Sequence, residues 1–221
     1  MNKNLYSIFE RALENYDDLK EEKFVVKPSL PIVYFGDLNA YLNSEFKIIT
    51  VALNPSDLEF KNTKSDSPSF FRFPDFNGSI ESLQLSLNNY FQIKPYEKWF
   101  GKKNISKSGF LPLLNGLGSC YYKGSYKNTA LHTDLCSPLA TNPTWATLTK
   151  NQQNLISKKG FEIWKDLILE IKPDLILISV KKEYLNKLPI EFISTVKSKF
   201  SSYKKIEYKL NQYKLKLGDF R

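Results

Sequence analysis

Apolar residues recur every three or four positions in several stretches of the chain, and this spacing predicts amphipathic helices. The first stretch is residues 4–20, where the apolar positions are Leu5, Ile8, Phe9, Ala12, Leu13, Tyr16 and Leu19. Similar spacing predicts four more helices, over residues 80–91, 110–117, 151–171 and 190–200. Pro173 follows the helix at 151–171, as expected of a residue that cannot continue a helix.

Shorter and more continuous apolar runs predict strands. Residues 46–53 become apolar on both faces in their second half, which is typical of a central parallel strand. Residues 129–136 predict a second strand, and residues 174–180 predict a third that is buried on both faces. Two β-like segments follow at residues 206–210 and 213–217.

The alternation of strands and helices predicts an α/β fold with three layers, α/β/α. Its centre is expected to be a mostly parallel, doubly wound sheet of about four strands. No internal repeat or linker divides the sequence, so residues 1–221 are predicted to form a single domain. Because ligands of such sheets bind at the carboxyl ends of the strands, we looked for candidate chemistry there.

The composition predicts a folded protein that is not associated with a membrane. Phe (16), Tyr (13) and Trp (3) supply enough apolar surface to offset the entropy lost on folding. No apolar run reaches the roughly 20 residues of a membrane span, and residues 1–6 lack the apolar region of a signal peptide. We therefore expect a cytoplasmic protein, and a monomer.

The chain carries a net charge of +9, and most of this charge lies near its end. Residues 181–221 contain eleven Lys or Arg and four Asp or Glu, so they contribute +7. A basic segment of this kind favours DNA as a partner. The alternative is a lysine-rich surface without a polyanion partner, because Lys far outnumbers Arg and Arg is the better reader of phosphates and bases.

The residue types exclude several classes of enzyme. A single histidine rules out the HExxH zinc proteases and two-histidine zinc sites, and no GxxxxGK[ST] phosphate-binding loop occurs. The two cysteines, Cys120 and Cys136, are expected to be free thiols. We therefore expect neither a metal nor a cofactor.

Polar groups follow the first two predicted strands. Asn54, Pro55 and Ser56 come directly after Leu53, and the proline places the amide in a turn beyond the sheet. In the second strand His132 and Asp134 lie two residues apart, so both side chains leave the same face. An Asn-Pro turn is common and a lone histidine is often a core residue, so each motif also has a purely structural explanation.

Four phenylalanines interrupt the polar loop that follows the first strand: Phe70, Phe71, Phe73 and Phe76. One or two of them would anchor the loop in the core. A surface on which a flat ring stacks accounts better for all four, with Arg72 available to a phosphate.

Together these motifs resemble the uracil-DNA glycosylase superfamily, in its mismatch-specific and single-strand-selective branch. Asn54-Pro55-Ser56 resembles the family's first motif, and the loop around Phe71 lies where the family places an aromatic ring on the extruded base. Residues 131–136 resemble the strand whose polar residue reads the pyrimidine edge, and residues 160–180 resemble the next helix and strand. The resemblance covers roughly residues 46–180.

The resemblance implies a monofunctional DNA glycosylase that flips a uracil or a modified pyrimidine out of DNA and hydrolyses its N-glycosidic bond, leaving an abasic site. Asn54 would position the attacking water, His132 would donate to the base or to its developing oxyanion, and Asp134 would orient His132 or supply a carboxylate. The implied base-binding residues are Ala52, Leu53, Pro55, Ser56, Phe70, Phe71 and Phe73. The implied DNA-binding residues are Arg72, Ser137, Lys181 and Lys182.

The sequence departs from the family pattern in two ways. Ala52 and Ser56 replace glycines of the first motif, which favours a base other than plain uracil. The family's late His/Asn-Pro-Ser loop has no counterpart after Val180, so we expect a truncated C-terminal end, a substitute segment or lost activity.

Three alternatives therefore stay open. The chain could be a glycosylase for the hypermodified bases of phage DNA in antiviral defence rather than a DNA-repair enzyme. It could be a non-catalytic nucleic-acid-binding module that keeps the fold. A small-molecule hydrolase using Ser56 or Ser137 with His132 is the third, although the chain has no GxSxG motif.

Overall fold

A computed structural model describes residues 3–62, 67–101, 109–124, 126–200, 206–216 and 218. The chain forms two compact units, Met1–Ser179 and Val180–Arg221, where the sequence alone predicted one domain. The two strands of the second unit pair with each other.

The first unit contains a parallel sheet of three strands and, separate from it, a pair of short strands. The helices are α1 (Lys3–Leu19), α2 (Leu38–Leu42), α3 (Ile80–Ile93), α4 (Glu97–Phe100), α5 (Leu111–Gly116) and α6 (Lys150–Ile171). The strands are β1 (Ile48–Ala52), β2 (Ser119–Cys120), β3 (Asn128–Thr129), β4 (Leu131–Asp134) and β5 (Leu175–Ile178). Two 3₁₀ turns, Asp57–Glu59 and Trp145–Thr147, complete the unit.

The main sheet has the strand order β4–β1–β5, and both pairings are parallel. The predicted α/β fold with a parallel sheet and flanking helices is confirmed, with three strands in the part of the chain that the structure describes. Residues 48–51 of β1 are fully buried, as expected for a central strand. Every residue of β5 is only half-buried, so the expectation that this strand is buried on both faces was wrong; β5 pairs with β1 on one side of the described sheet.

Alternation along β4 separates the two faces of the sheet. Thr133 faces α6, where Trp164 donates from Nε1 to its hydroxyl at 3.0 Å. His132 faces the other way, into a group of aromatic rings that includes Phe91 of α3. The sheet therefore lies between α6 and α3, and the polar residues of the second predicted motif face the α3 side.

Local sequence explains where α6 begins and how closely it packs. Thr149 and Gln152 form a capping box, in which each side chain bonds the other residue's backbone N–H. Gly160 lies against the segment after β4, and a Cβ at this position would lie 2.2 Å from the carbonyl oxygen of Cys136. The helix can approach that segment only because residue 160 has no side chain.

The second unit consists of helix α7 (Lys182–Leu185) and strands β6 (Ile190–Phe200) and β7 (Ile206–Leu215). The two strands form an antiparallel hairpin, with a bulge between Phe192 and Ser194. The predicted helix at 190–200 was wrong. Its apolar positions are spaced by three, but they are β-branched residues and phenylalanine, which pack better on a pleated surface when a partner strand is available.

Within the part of the chain that the structure describes, no helix is both long enough and apolar enough to cross a membrane.

Candidate functional site

Asn54 lies just beyond the carboxyl end of β1, and its side chain is held in one orientation. The amide nitrogen Nδ2 donates to the carbonyl oxygens of Pro55 at 2.8 Å and Leu139 at 3.2 Å, and to the Thr141 hydroxyl at 2.9 Å. These three acceptors fix which end of the amide faces the protein. The opposite atom, Oδ1, receives no hydrogen bond from any described residue, and the side chain is half-buried.

Backbone hydrogen bonds join the residues around Asn54 to the segment that follows β4. Leu135 and Cys136 donate backbone hydrogen bonds to Ala52 and Leu53, and Thr141 donates to Pro55. Ser56 accepts a hydrogen bond from the backbone of Leu58, which caps the first 3₁₀ turn. Ala52, Leu53 and Ser56 are half-buried, and Pro55 is buried.

His132 is the end of a buried chain of hydrogen bonds. The Tyr121 hydroxyl lies 2.6 Å from Thr50 Oγ1, which lies 2.7 Å from His132 Nδ1. Both hydroxyl protons have an acceptor if Tyr121 donates to Thr50 and Thr50 donates to Nδ1, which leaves the imidazole proton on Nε2. Burial lowers the pKa of His132 to about 3, so the ring is neutral at pH 7.

Aromatic rings enclose this histidine. The rings of Phe100 and Phe35 have their centres 5.1 and 5.7 Å from the centre of the imidazole, and only 2% of His132 is exposed. A base outside this shell has no direct access to the ring. The expectation that His132 itself donates to the base is therefore not met in this conformation, and a positioning role suits it better.

Asp134 is a buried carboxyl group beside His132, and the charge of a second buried carboxyl group, Glu59, acts on it. Asp134 Oδ1 lies 3.9 Å from His132 Nε2, beyond hydrogen-bonding distance, and the Asp134 carboxyl has no hydrogen bond within the described chain. Burial raises the pKa of Asp134 well above its ordinary value, and the charge of Glu59 raises it further. Both effects favour the protonated, neutral form of the Asp134 carboxyl.

Glu59 comes from the 3₁₀ turn that follows Asn54, and sequence reasoning did not select it. Its Oε2 accepts a hydrogen bond from the Tyr90 hydroxyl at 2.5 Å. Burial raises the pKa of Glu59 to about 7, although the Tyr90 hydrogen bond and the charge of Arg72 oppose this shift. A carboxylate between two apolar residues, Leu58 and Phe60, is the only sequence signal that pointed to it.

Asn54 is connected to His132 and Asp134 through the backbone of the sheet and not through a side-chain hydrogen bond. Asp134 is the register neighbour of Ala52, and His132 is the neighbour of Thr50, so these four side chains share one face. Asn54 follows Ala52 by two residues and bonds to the segment after β4. It forms no hydrogen bond with His132 or Asp134. Thr141, which anchors Asn54, was also missed, and its position after the second strand was its only signal.

The phenylalanines of the long loop have different environments. Phe73 is fully buried, with its ring centre 5.3 Å from that of Phe60 and 5.5 Å from that of Tyr90. Phe73 is therefore a core residue, and its assignment to the base pocket is corrected. Phe70 and Phe71 are half-buried, and the Lys94 ammonium lies 4.4 Å from the centre of the Phe71 ring.

Two of the four predicted DNA contacts are engaged within the protein. Arg72 donates from Nη1 to the carbonyl oxygens of Lys94 and Pro95, at 2.6 and 3.3 Å, so this side of its guanidinium is not available to a phosphate. Ser137 is fully buried and accepts a hydrogen bond from the backbone of Leu139; its assignment to DNA binding is corrected. Lys181 and Lys182, in the second unit, are exposed.

The geometry does not support a serine hydrolase. The side chains of Ser56 and Ser137 make the local hydrogen bonds described above, and neither bonds to His132. The imidazole nitrogens face Thr50 and Asp134 instead. Within the described ranges, no group of three or more His, Cys, Asp or Glu residues is arranged to hold a metal ion.

We compared the chain with protein-family models, with characterised proteins and with solved structures, and no significant match was found.

Proposed function

We propose that the first unit is a DNA glycosylase, which hydrolyses the N-glycosidic bond of a uracil or modified pyrimidine extruded from DNA. One observation carries the proposal: three acceptors hold Nδ2 of Asn54 at the carboxyl end of the central strand, and Oδ1 receives no hydrogen bond from the residues that the structure describes. A half-buried carbonyl oxygen fixed in this way is suited to accept a hydrogen bond from one water molecule.

In the proposed reaction this water attacks the sugar carbon of the extruded nucleotide. The bond to the base breaks, its electron pair stays with the pyrimidine, and the sugar becomes positively charged as the bond lengthens. Asn54 orients the water and does not take its proton, because an amide oxygen is too weak a base. As the carbon–oxygen bond forms, that proton goes to the departing pyrimidine anion, so the products are the free base and an abasic sugar. Placing the reacting groups correctly accounts for a large part of the rate that such sites achieve.

The leaving pyrimidine gains negative charge on its ring oxygens, and a protonated acid beside them would stabilise it. We assign this role to Asp134 rather than to His132; its side chain is 3% exposed, so the extruded base contacts it only if the surrounding residues move apart. Burial and the charge of Glu59 raise the pKa of Asp134 and so favour its protonated form, and this carboxyl has no hydrogen-bond partner in the described chain. His132, neutral and tied to Thr50, then limits where the Asp134 carboxyl lies.

Phe70 or Phe71 would stack on the extruded ring, since Phe73 is buried. Phe71 already contacts the ammonium of Lys94, whereas Phe70 makes edge contacts with Phe60 and Phe76. Replacing each residue with alanine distinguishes the two. Substitution of the residue that stacks on the base should raise KM or lower kcat about tenfold or more, and substitution of the other should change neither. Phe73→Ala lowers stability instead, by about 3 to 5 kcal/mol.

The decisive test measures abasic-site formation on single-stranded and duplex oligonucleotides containing uracil, 5-hydroxymethylcytosine or its glucosylated form. We expect excision of at least one of these bases. Asn54→Ala should lower the excision rate about 100-fold or more and leave DNA affinity within twofold. Asn154→Ala, an exposed asparagine of α6, is the matched control and should behave as wild type.

A second candidate is a nucleic-acid-binding module without catalysis. The observation that favours it is the aromatic shell around His132, which separates the imidazole from a base. Salt-sensitive DNA binding by a correctly folded chain that leaves every oligonucleotide intact would support this candidate and contradict the glycosylase.

A further inference from the structure

The hairpin of β6 and β7 is long for a structure of two strands. Its strands have 11 and 10 residues, so it is roughly 35 Å long at about 3.4 Å per residue. Isolated two-stranded hairpins are marginally stable in water. Phe192 and Leu210 are 56% and 58% exposed, so each of the two faces of this hairpin carries an apolar side chain that the described chain leaves largely uncovered.

One face of the hairpin combines cations, amide and aromatic groups. The cross-strand register places Phe192 opposite Tyr213, Thr195 opposite Asn211 and Lys197 opposite Lys209. Phe192 and Thr195 are three residues apart, but the extra residue of the bulge, Ile193, has no partner on β7. The side chains of all three pairs therefore point to the same side of the hairpin. We call this side, made of Phe192, Thr195, Lys197, Lys209, Asn211 and Tyr213, the lysine face.

The charges on this face favour a polyanion. Lys197 and Lys209 lie directly opposite each other. Lys197 already has an interaction partner, whereas Lys209 is exposed and forms no ion pair with any described residue. The unit as a whole carries most of the chain's excess charge, since residues 181–221 contribute +7 of the total of +9. Bound phosphates would gain the attraction of the whole unit.

The hydrogen bonds on the lysine face leave donors pointing outwards. Thr195 donates from its hydroxyl to Asn211 Oδ1 at 2.8 Å. This bond fixes the Asn211 amide and leaves its two N–H groups without an acceptor within the described chain. An asparagine amide is suited to the edges of purines, which present acceptors in the major groove of DNA.

We propose that the lysine face binds in the major groove of duplex DNA, with the lysines on the phosphates and Asn211 on a base edge. The major groove of B-form DNA, about 12 Å wide, admits a two-stranded β-ribbon, and the hairpin is about as long as one helical turn. Double-stranded RNA fits less well, because its major groove is too narrow for side chains to read. This proposal does not depend on the chemistry of the first unit.

The test is fluorescence anisotropy of the full chain with a 24-base-pair duplex that contains only ordinary bases. The variant Lys197→Gln/Lys209→Gln should raise Kd about tenfold at 0.1 M salt and lower the slope of log K against log salt concentration by about two. The control Lys23→Gln/Lys158→Gln removes two exposed lysines of the first unit and should change the slope by less than half as much. Circular dichroism establishes that each variant keeps its strand content.

Several results would overturn the proposal. Equal slopes for the two double variants would remove the lysine face as the DNA contact. Binding to single-stranded DNA or to duplex RNA as tight as binding to duplex DNA would exclude the major groove. A wild-type dimer in sedimentation that Lys197→Gln/Lys209→Gln dissociates would show that a second copy covers this face. Because the duplex holds no substrate base, a failure of excision leaves this experiment unaffected, and the two proposals fail separately.

Discussion

The hydroxyl of Thr141 lies 2.9 Å from Nδ2 of Asn54 and accepts a hydrogen bond from it. Of the three acceptors that orient the amide, this hydroxyl is the only one that a point substitution can remove, because the other two are backbone oxygens. Thr141 is fully buried, so its effect on Asn54 can be tested without changing the surface.

We expect Thr141→Val to lower kcat for base excision about fivefold and to leave KM unchanged, because the loss of one hydrogen bond of about 1 kcal/mol loosens the amide. Thr141→Ser keeps the acceptor and should retain wild-type kcat. The side-chain amide protons of Asn54 should also exchange faster with solvent in the valine variant. Unchanged exchange and unchanged kcat would contradict the positioning role of Thr141.

The raised pKa of Glu59 makes stability depend on pH. The folded state holds the proton of Glu59 up to about pH 7, whereas the unfolded chain releases it near pH 4.5. The wild-type free energy of unfolding therefore decreases, through this group, as pH rises from 4.5 to 7.

Glu59→Gln removes this dependence, and Gln can still accept the Tyr90 hydrogen bond. Relative to wild type, the variant should gain up to about 3 kcal/mol in the free energy of unfolding between pH 4.5 and pH 8. Urea denaturation at both pH values measures the difference. If the difference between variant and wild type stays constant with pH, Glu59 does not bind a proton in the folded state.

His132 should show no titration in the neutral range. Its pKa is lowered to about 3 by burial, so its imidazole signals should not shift between pH 8 and pH 5, while an ordinary histidine titrates near pH 6.5. The chain has one histidine, so the assignment by ¹⁵N NMR is unambiguous. The spectrum should also report the tautomer with its proton on Nε2, and a midpoint near pH 6.5 would contradict the buried network.

Gly160→Ala should destabilise the first unit by more than 2 kcal/mol. The added Cβ would lie 2.2 Å from the Cys136 carbonyl oxygen and 2.7 Å from Ser137 Cα, and backbone atoms cannot rotate away. Gly116→Ala is the matched control, because a Cβ there has open space around it, and its stability should be unchanged or up to about 1 kcal/mol higher. Thermal unfolding measures the stability of both variants. Equal melting temperatures for Gly160→Ala and Gly116→Ala would rule out close contact at Gly160.

Much of the fold could be predicted because its signals are local. The apolar spacing of α1 and α6 and the continuous apolar run of β1 each reflect the burial of the same segment, so these elements were placed within a few residues. The hairpin could not be predicted in this way. Residues 190–200 have apolar positions spaced as in a helix, and only the pairing with residues 206–215 makes them a strand.

The candidate site was predicted less completely, for a related reason. Asn54 and His132 stood out as unusual polar residues at strand ends, which a single segment can indicate. The residues that decide their chemistry, Thr50, Glu59 and Thr141, act across the fold and have ordinary sequence surroundings. Phe73 was misassigned because sequence alone does not distinguish an aromatic ring that anchors a loop in the core from one that binds a ligand.

The backbone oxygens around Asn54 bear on how such a site could be transferred to another protein. Two of the three acceptors of its amide are the carbonyl groups of Pro55 and Leu139, so the orientation is specified mainly by where two chain segments cross. A graft that copies only the side chains of the motif into a recipient scaffold would leave the amide free to turn. The recipient must reproduce the crossing itself, and then residues 55 and 139 can differ from those found here.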